Sequence, residues 1–485
     1  MAGSERHGRK ALDSGRCRND EQERMVMTGN AVESTPQPID LLICARWVIP
    51  VEPHGVVLED HAVAVTHDVI VAVLPAAAAA RQFAPRERIE LPGHALFPGL
   101  INAHTHSPMT LLRGLADDLP LMTWLREHIW PAEAKVMSAQ FVADGTELAI
   151  AEMLRGGTTT CNENYFFPDA FARVCARVGF RAVVGLPIVE FPSAWAANAD
   201  EYFDRALAVY DECKPHALLS CAFAPHAPYT VSDASFERIR TLADQLDVPV
   251  HLHLHETAQE IEDARRDIGA RPFARMQGLG VVNDRLIAVH MTQLTDAEIA
   301  ACAEAGVSVV HCAESNLKLA SGFCPAEKLR RAGVNVALGT DGCASNNDLD
   351  MFGEMRTAAL LAKGVANDAS AFDAACTLRA ATLNGARALG LVDQIGSIEP
   401  GKQADLAAIR LDEPETQPLY HAISQLVYAA SRRQVSDVWI AGERRLRDGL
   451  LTNVDTDALL AKAAHWRERI ASLGSWNTKE PCNAI

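Results

Sequence analysis

Residues 95–107 read ALFPGLINAHTHS, an apolar run that ends in two histidines separated by one residue. Side chains alternate across a strand, so a spacing of two turns His104 and His106 to the same face. Seven further apolar, strand-like runs follow: TTTCNENY (158–165), RAVVGLPIV (181–189), LLSCAFAPHA (218–227), VPVHLHLHE (248–256), LIAVHM (286–291), VSVVHCAES (307–315) and NVALGTDG (335–342). Between them lie amphipathic stretches such as DGTELAIAEMLRGG, DASFERIRTLADQL and DAEIAACAEAG, with Gly156, Gly157 and Gly306 placed to end helices. Eight β-then-α units over 98–394 predict an α/β fold, a (β/α)8 TIM-like barrel. A doubly wound open sheet is the alternative, but no G-x-G-x-x-G follows the first strand.

Outward from the barrel the pattern shortens. LLICARWVI, GVVLEDHAVAV, HDVIVAVL and RIELPGHAL precede it, and IGSIEPGKQADLAAI and VSDVWIAGERRL follow it. Turn residues space the first four as in a small antiparallel sheet. Segments 37–97 and 395–452 are expected to meet as one composite β-sandwich, with 453–485 a terminal helix and tail. Residues 1–36 hold ten hydrophobic residues among six acids and six basic residues. They predict a disordered leader without the apolar run of a signal peptide, and Met25 or Met27 would serve as later starts.

The whole chain has 485 residues, 62 acidic against 45 basic, and a net charge of −17. That balance argues against nucleic acid, whose phosphates need a basic surface. No stretch reaches the roughly 18 apolar residues of a membrane helix. Twelve cysteines without a C-x-x-C pair read as free thiols, and the expected compartment is the cytoplasm.

Metal-binding residue types fall at the ends of the predicted barrel strands, where such barrels build their sites. His104 and His106 end the first, His226 the fourth, and His290 the sixth. His251, His253 and His255 alternate along the fifth, with Glu256 next. His311 lies on the seventh, and Asp341 ends the eighth. A lone strand-end histidine is more often a hydrogen-bonded structural residue, but an H-x-H pair joined to a distant T-D-G points to a metal. Three imidazoles and one carboxylate suit a borderline divalent ion such as zinc. Zinc lowers the pKa of bound water from 15.7 to about 7, removing on the order of 12 kcal/mol from making hydroxide. Metal-assisted hydrolysis is therefore the expected chemistry. Spacing alone does not choose His253 over His255.

PGLINAHTHSPMTLLRGLADDLPLMTWLREHIWPAE, APHAPYTVS, HLHLHET, HCAESNLKLASGFCP and LGTDGCASNNDLDMF resemble the amidohydrolase superfamily. Within it they look like the bacterial 5′-methylthioadenosine/S-adenosylhomocysteine deaminases, over about residues 38–450. The resemblance implies one divalent metal per chain, zinc being the expected ion, held by His104, His106, His253 and Asp341. It implies Glu256 as the proton shuttle, with His290 and Asp341 completing the catalytic set. His251 and His255 are then core or supporting residues. Glu133 and His226 are implied contacts to the ribose of a small-molecule nucleoside. The competing, less favoured reading of Glu133 is a helix-start carboxylate after Pro131. Trp124, Met122 and Leu112 are candidates to cover the adenine or its 5′ substituent. His311 and Asn316 carry no derived role.

Family members that accept S-adenosylhomocysteine present arginines near the third strand. Residues 182–204 contain none, and Arg181 and Arg205 only flank them. The expected preference is thus 5′-methylthioadenosine, with S-adenosylhomocysteine and adenosine slower. Strand four lacks the lysine of two-metal relatives, which favours a mononuclear site. Competing readings are an amidohydrolase for guanine, pterin or triazine, or a non-catalytic binding protein of the same fold. A homo-oligomer is an open expectation that no residue pattern decides.

Overall fold

The computed structural model describes residues 35–474. The expectations for a leader over 1–36 and for the last part of the tail therefore fall largely outside the described residues. Four strands precede the barrel: β1 (Gln37–Val48), β2 (Leu58–Thr66), β3 (Val69–Pro75) and β4 (Phe83–Pro98). The barrel strands are β5 (Leu100–Thr105), β6 (Thr158–Glu163), β7 (Arg181–Ile188), β8 (Leu219–Pro225), β9 (Val250–Leu254), β10 (Leu286–His290), β11 (Ser308–His311) and β12 (Asn335–Leu338). Four more follow: β13 (Leu406–Arg410), β14 (Val435–Ile440), β15 (Glu443–Arg447) and β16 (Leu450–Leu451).

Each of the eight apolar runs contains one barrel strand, and β5 to β12 pair in sequence order, in parallel. Helices such as Ala139–Arg155, Asp233–Leu246 and Asp296–Ala305 return the chain between them. Their ends follow local chemistry. Ser138 and Ser232 cap N-termini, Thr295 and Glu298 form a capping box, and Gly156 and Gly306 close C-termini. Ile101, Ala103, Val183, Ala222, Val289 and Val310 belong to the apolar core that the barrel strands share, so the barrel is a packed body.

The flanking strands join in one eight-stranded sheet, ordered β16-β15-β14-β13-β4-β1-β2-β3. A single core draws on both flanks, with Leu41, Ile43, Val63 and Leu96 beside Leu406, Ala408 and Trp439. The sheet is mixed, which corrects the antiparallel expectation for its first half. β1 and β4 pair in parallel, because the β2–β3 hairpin and the helix Ala76–Gln82 intervene and bring β4 back beside β1 as a crossover. β4 runs almost directly into β5. At the joint, Gly99 lies so close to Thr159 that an added Cβ would sit 2.2 Å from its side chain. The site is therefore carried on a strand that is anchored in both sheets.

Beneath the barrel, Arg181 at the start of β7 donates to Asp405 just before β13 at 2.7 and 3.0 Å, in full burial. No helix among the described residues is long and apolar enough to cross a membrane.

Candidate active site

The C-terminal ends of β5, β9 and β12 converge on one point. His104, His106, His253 and Asp341 each offer a ligand atom, and these atoms lie within 4.8 Å of one another. Asp341 Oδ1 is 3.2 Å from Nε2 of both His104 and His106, and His253 Nε2 is 3.3 Å from His106 Nε2. The barrel closes at the same place, where Asp341 bridges to Thr105 and its N–H donates to the His104 carbonyl at 3.1 Å. Gly339 makes that approach possible, since a Cβ there would fall 2.8 Å from the His104 nitrogen.

The second nitrogen of each imidazole decides what the first can do. His253 Nδ1 faces the His226 carbonyl at 2.7 Å, and His106 Nδ1 faces the Asn164 carbonyl. A carbonyl only accepts, so both rings carry their proton on Nδ1 and turn an Nε2 lone pair inward. His104 Nδ1 lies 2.9 Å from His251 Nε2; with the His104 Nε2 lone pair kept for an ion, Nδ1 carries the proton and His251 accepts it, which orients His104. Burial drives His104 down to about 4 and His253 well below the ordinary range, keeping both neutral. Imidazole nitrogens and a carboxylate oxygen a little over 3 Å apart suit a shared cation; without one, and against burial, Asp341 holds the His106 imidazole up to about 9, and the cation would take the place of that proton. The donor set fits one divalent metal, zinc above all, and no lysine stands on β8 to bridge a second.

Asp341 is held firmly. Its Oδ2 accepts from Ser315 Oγ at 2.6 Å and Ser345 Oγ at 2.8 Å, leaving Oδ1 toward the histidines. Glu163, buried at the end of β6, accepts from Thr105 Oγ1 and from the Ser107 backbone at 2.9 Å, bracing the chain on both sides of His106. Neither the two serines nor Glu163 stood out in sequence. Asn316 had no derived role, yet its Oδ1 lies 2.9 Å from His290 Nδ1 and so turns His290 Nε2 toward the cavity. The only available signal was its place five residues past the end of β11.

Glu256 stands 4.0 Å from His290 Nε2, and burial raises its carboxyl above the usual range, opposed by His290. His290 at φ 73° and Asp341 at φ 61° are in the left-handed region, conformations that persist only where surrounding structure enforces them. His255 also turns out of β9, at φ 53°, and its Nε2 accepts from the Phe273 backbone at 3.0 Å. That separates it from His253, a distinction spacing could not make. His311 is buried and lies outside the cluster.

A cavity of about 760 Å³ opens from the cluster. His106, His253, Glu256, His290 and Asp341 line its floor; Glu133, Tyr165, His226 and Trp124 line its walls. Glu133 lies in the helix Trp130–Val136 and accepts from the Tyr165 hydroxyl. Burial lifts its carboxyl to about 7 against that bond. His226, just past β8, has Nδ1 3.2 Å from Thr230 Oγ1. Trp124 is buried, and its indole N–H has no hydrogen-bond partner among the described residues. Met122 also lines the cavity, but Leu112 does not; it is packed in the core instead. The segment after β7 contributes Val189, Phe191, Pro192 and Ala194, an apolar wall. Arg181 is committed to Asp405 and Arg205 to Glu201. Among the described residues the one arginine along the cavity is Arg126, in the π-helical turn Trp124–Ile129.

A parallel barrel with this donor set at its strand ends defines a metallohydrolase architecture, and the amidohydrolase family profile matches residues 95–445. A 5-methylthioadenosine/S-adenosylhomocysteine deaminase of Teredinibacter turnerae is 49% identical over 434 residues, covering 90% of this chain and 98% of that one. The deaminase of the same name from Saccharophagus degradans is 44% identical over 433 residues, covering 89% and 97%. The chain belongs to the amidohydrolase family, and within it to the 5-methylthioadenosine/S-adenosylhomocysteine deaminases. Among solved structures, an adenosine deaminase from Xanthomonas campestris with bound zinc is 67% identical, with a TM-score of 0.90, covering 90% of this chain and 100% of that one.

Proposed function

We propose that the chain is a zinc-dependent deaminase that hydrolyses 5′-methylthioadenosine to its inosine analogue and ammonia, with adenosine and S-adenosylhomocysteine as slower substrates. The observation that carries this reading is one continuous cavity. It runs from three inward-facing imidazoles and a carboxylate, past Glu256 and His290, to Glu133 and an apolar wall.

His104, His106, His253 and Asp341 would hold the ion, which when bound supplies an acidified water at neutral pH. Glu256 takes a proton from the attacking water and delivers it to the ring nitrogen beside the amino-bearing carbon. Its raised pKa brings it closer to neutrality, where an acid–base group works in both directions. As the carbon–oxygen bond forms, Asp341 accepts the second proton of that oxygen and it passes to the amine; His290, oriented by Asn316, accepts a hydrogen bond from the amine at Nε2 until the carbon–nitrogen bond breaks and ammonia leaves. Glu133 accepts from the ribose hydroxyls, a role its burial and Tyr165 support. His226 reaches the sugar from the opposite wall, and the free Trp124 N–H meets a substrate acceptor.

All adenosine analogues share ring and ribose, so selectivity rests on the 5′ group. A methylthio group asks only for the apolar wall that Met122, Phe191 and Pro192 offer. An amino-acid tail brings a carboxylate, and its burial without a cation is unfavourable. Comparison of kcat/KM for the three nucleosides tests the proposal, with S-adenosylhomocysteine expected about 10–150-fold below 5′-methylthioadenosine. Release of ammonia from none of them, with turnover of guanine or a triazine, would refute it.

A further inference from the structure

A second group of metal-type donors lies at the seam between the mixed sheet and the barrel. His54, Asp373 and Cys376 bring an imidazole nitrogen, a carboxylate oxygen and a thiol sulfur within 4.8 Å of one another. His54 sits in the turn between β1 and β2, whereas Asp373 caps the helix Ala374–Ala380 that carries Cys376. The fold therefore unites residues 322 positions apart.

Neighbouring contacts pin the two segments together. Glu52 pairs with Arg379 at 2.6 Å, and Gly55, at φ 73°, would place a Cβ 4.0 Å from Ala375. Asp373 Oδ1 accepts from the Cys376 backbone at 2.8 Å, which fixes the carboxylate beside the thiol. Cys376 Sγ is 3.9 Å from His54 Nε2. A tetrahedral zinc, at roughly 2.3 Å from sulfur and 2.0 Å from nitrogen, sets such a pair about 3.5 Å apart. A shift of a few tenths of an ångström closes the difference. Among the described cysteines, Cys376 alone is not buried.

We propose that His54, Asp373 and Cys376 form a second site for a borderline divalent cation of the zinc, cobalt or cadmium class, with water as further ligand, separate from the catalytic ion. The ion clasps the first turn of the mixed sheet to the helix behind the barrel. A nucleophilic role suits the thiol poorly, because burial and then Asp373 push it up to about 11, with Arg330 opposing and Glu327 adding.

Titration of the zinc-loaded enzyme, dialysed to one equivalent, with cadmium or cobalt tests the site. One further equivalent is expected, with a thiolate-to-metal charge-transfer band. The band is lost in Cys376→Ser, needs at least about tenfold more cation in His54→Ala, and persists in His253→Ala, which lacks the catalytic ion. Deamination by Cys376→Ser stays at the level of the parent. Absence of the band from the parent enzyme, or its survival in Cys376→Ser, overturns the proposal.

Discussion

The two ends of the cavity are built differently. At the metal end every imidazole of the donor set spends its second nitrogen on a fixed partner, and Asp341 is tied by two serines. The donors lie on or just past strand ends, which the barrel closure at Thr105 and Asp341 brings together. At the nucleoside end the walls come from a π-helical turn, a short helix and the loop after β7. There an indole N–H lacks a partner, and a carboxylate is buried above its normal pKa. On the proposed function, chemistry falls to the metal end and recognition of the nucleoside to the other.

The sharpest way to break this division is at the floor. His253→Ala is expected to lose metal and activity together, whereas Glu256→Gln keeps the metal while kcat falls about 10²–10⁴-fold. Metal content measured beside kcat decides it. Loss of metal from Glu256→Gln would mean that the shuttle and ligand assignments are exchanged.

At the other end, Arg126 is the only arginine among the described residues that lines the cavity, and it lies in the turn Trp124–Ile129, not in the segment after β7. With the amino-acid tail against the apolar wall and without a cation, Arg126→Met is expected to change kcat/KM for S-adenosylhomocysteine and 5′-methylthioadenosine alike, by less than about twofold. A selective loss of about 10–150-fold for S-adenosylhomocysteine would show that Arg126 reads the tail carboxylate.

His251 tests how much rigidity the metal needs. His251→Phe removes the acceptor for His104 Nδ1 and is expected to weaken zinc binding about 10–100-fold in a chelator competition. Unchanged affinity would leave His251 as plain core.

A last effect concerns stability. The Glu133 carboxyl rises from 4.5 to about 7 on folding, mainly through burial. The folded state disfavours the charged form, so the penalty is absent below about pH 4.5, grows as pH rises, and is complete above about pH 7. Glu133→Gln is therefore expected to be more stable than the parent by up to about 3 kcal/mol at pH 8, and equal to it near pH 4.5. Its KM for ribosides rises at the same time. Thermal unfolding at the two pH values checks the sign, and no gain at pH 8 would place the Glu133 charge in a solvated or paired setting.

Much of the stiff end was legible in the sequence. Strand alternation puts His104 and His106 on one face, barrel logic puts ligands at strand ends, and apolar runs separated by amphipathic segments count out eight units. These are local periodicities, and local sequence carries them. Three things needed the tertiary structure. The choice of His253 over His255 depends on a positive φ where the chain leaves β9. The partners His251, Glu163, Ser315, Ser345 and Asn316 are brought to the site by pairing between distant segments, with no common spacing. The parallel placement of β1 against β4, and the meeting of His54 with Cys376, arise from crossovers that span dozens to hundreds of residues. Periodicity reports which face of an element is buried, but which elements face one another is settled only when the whole chain packs.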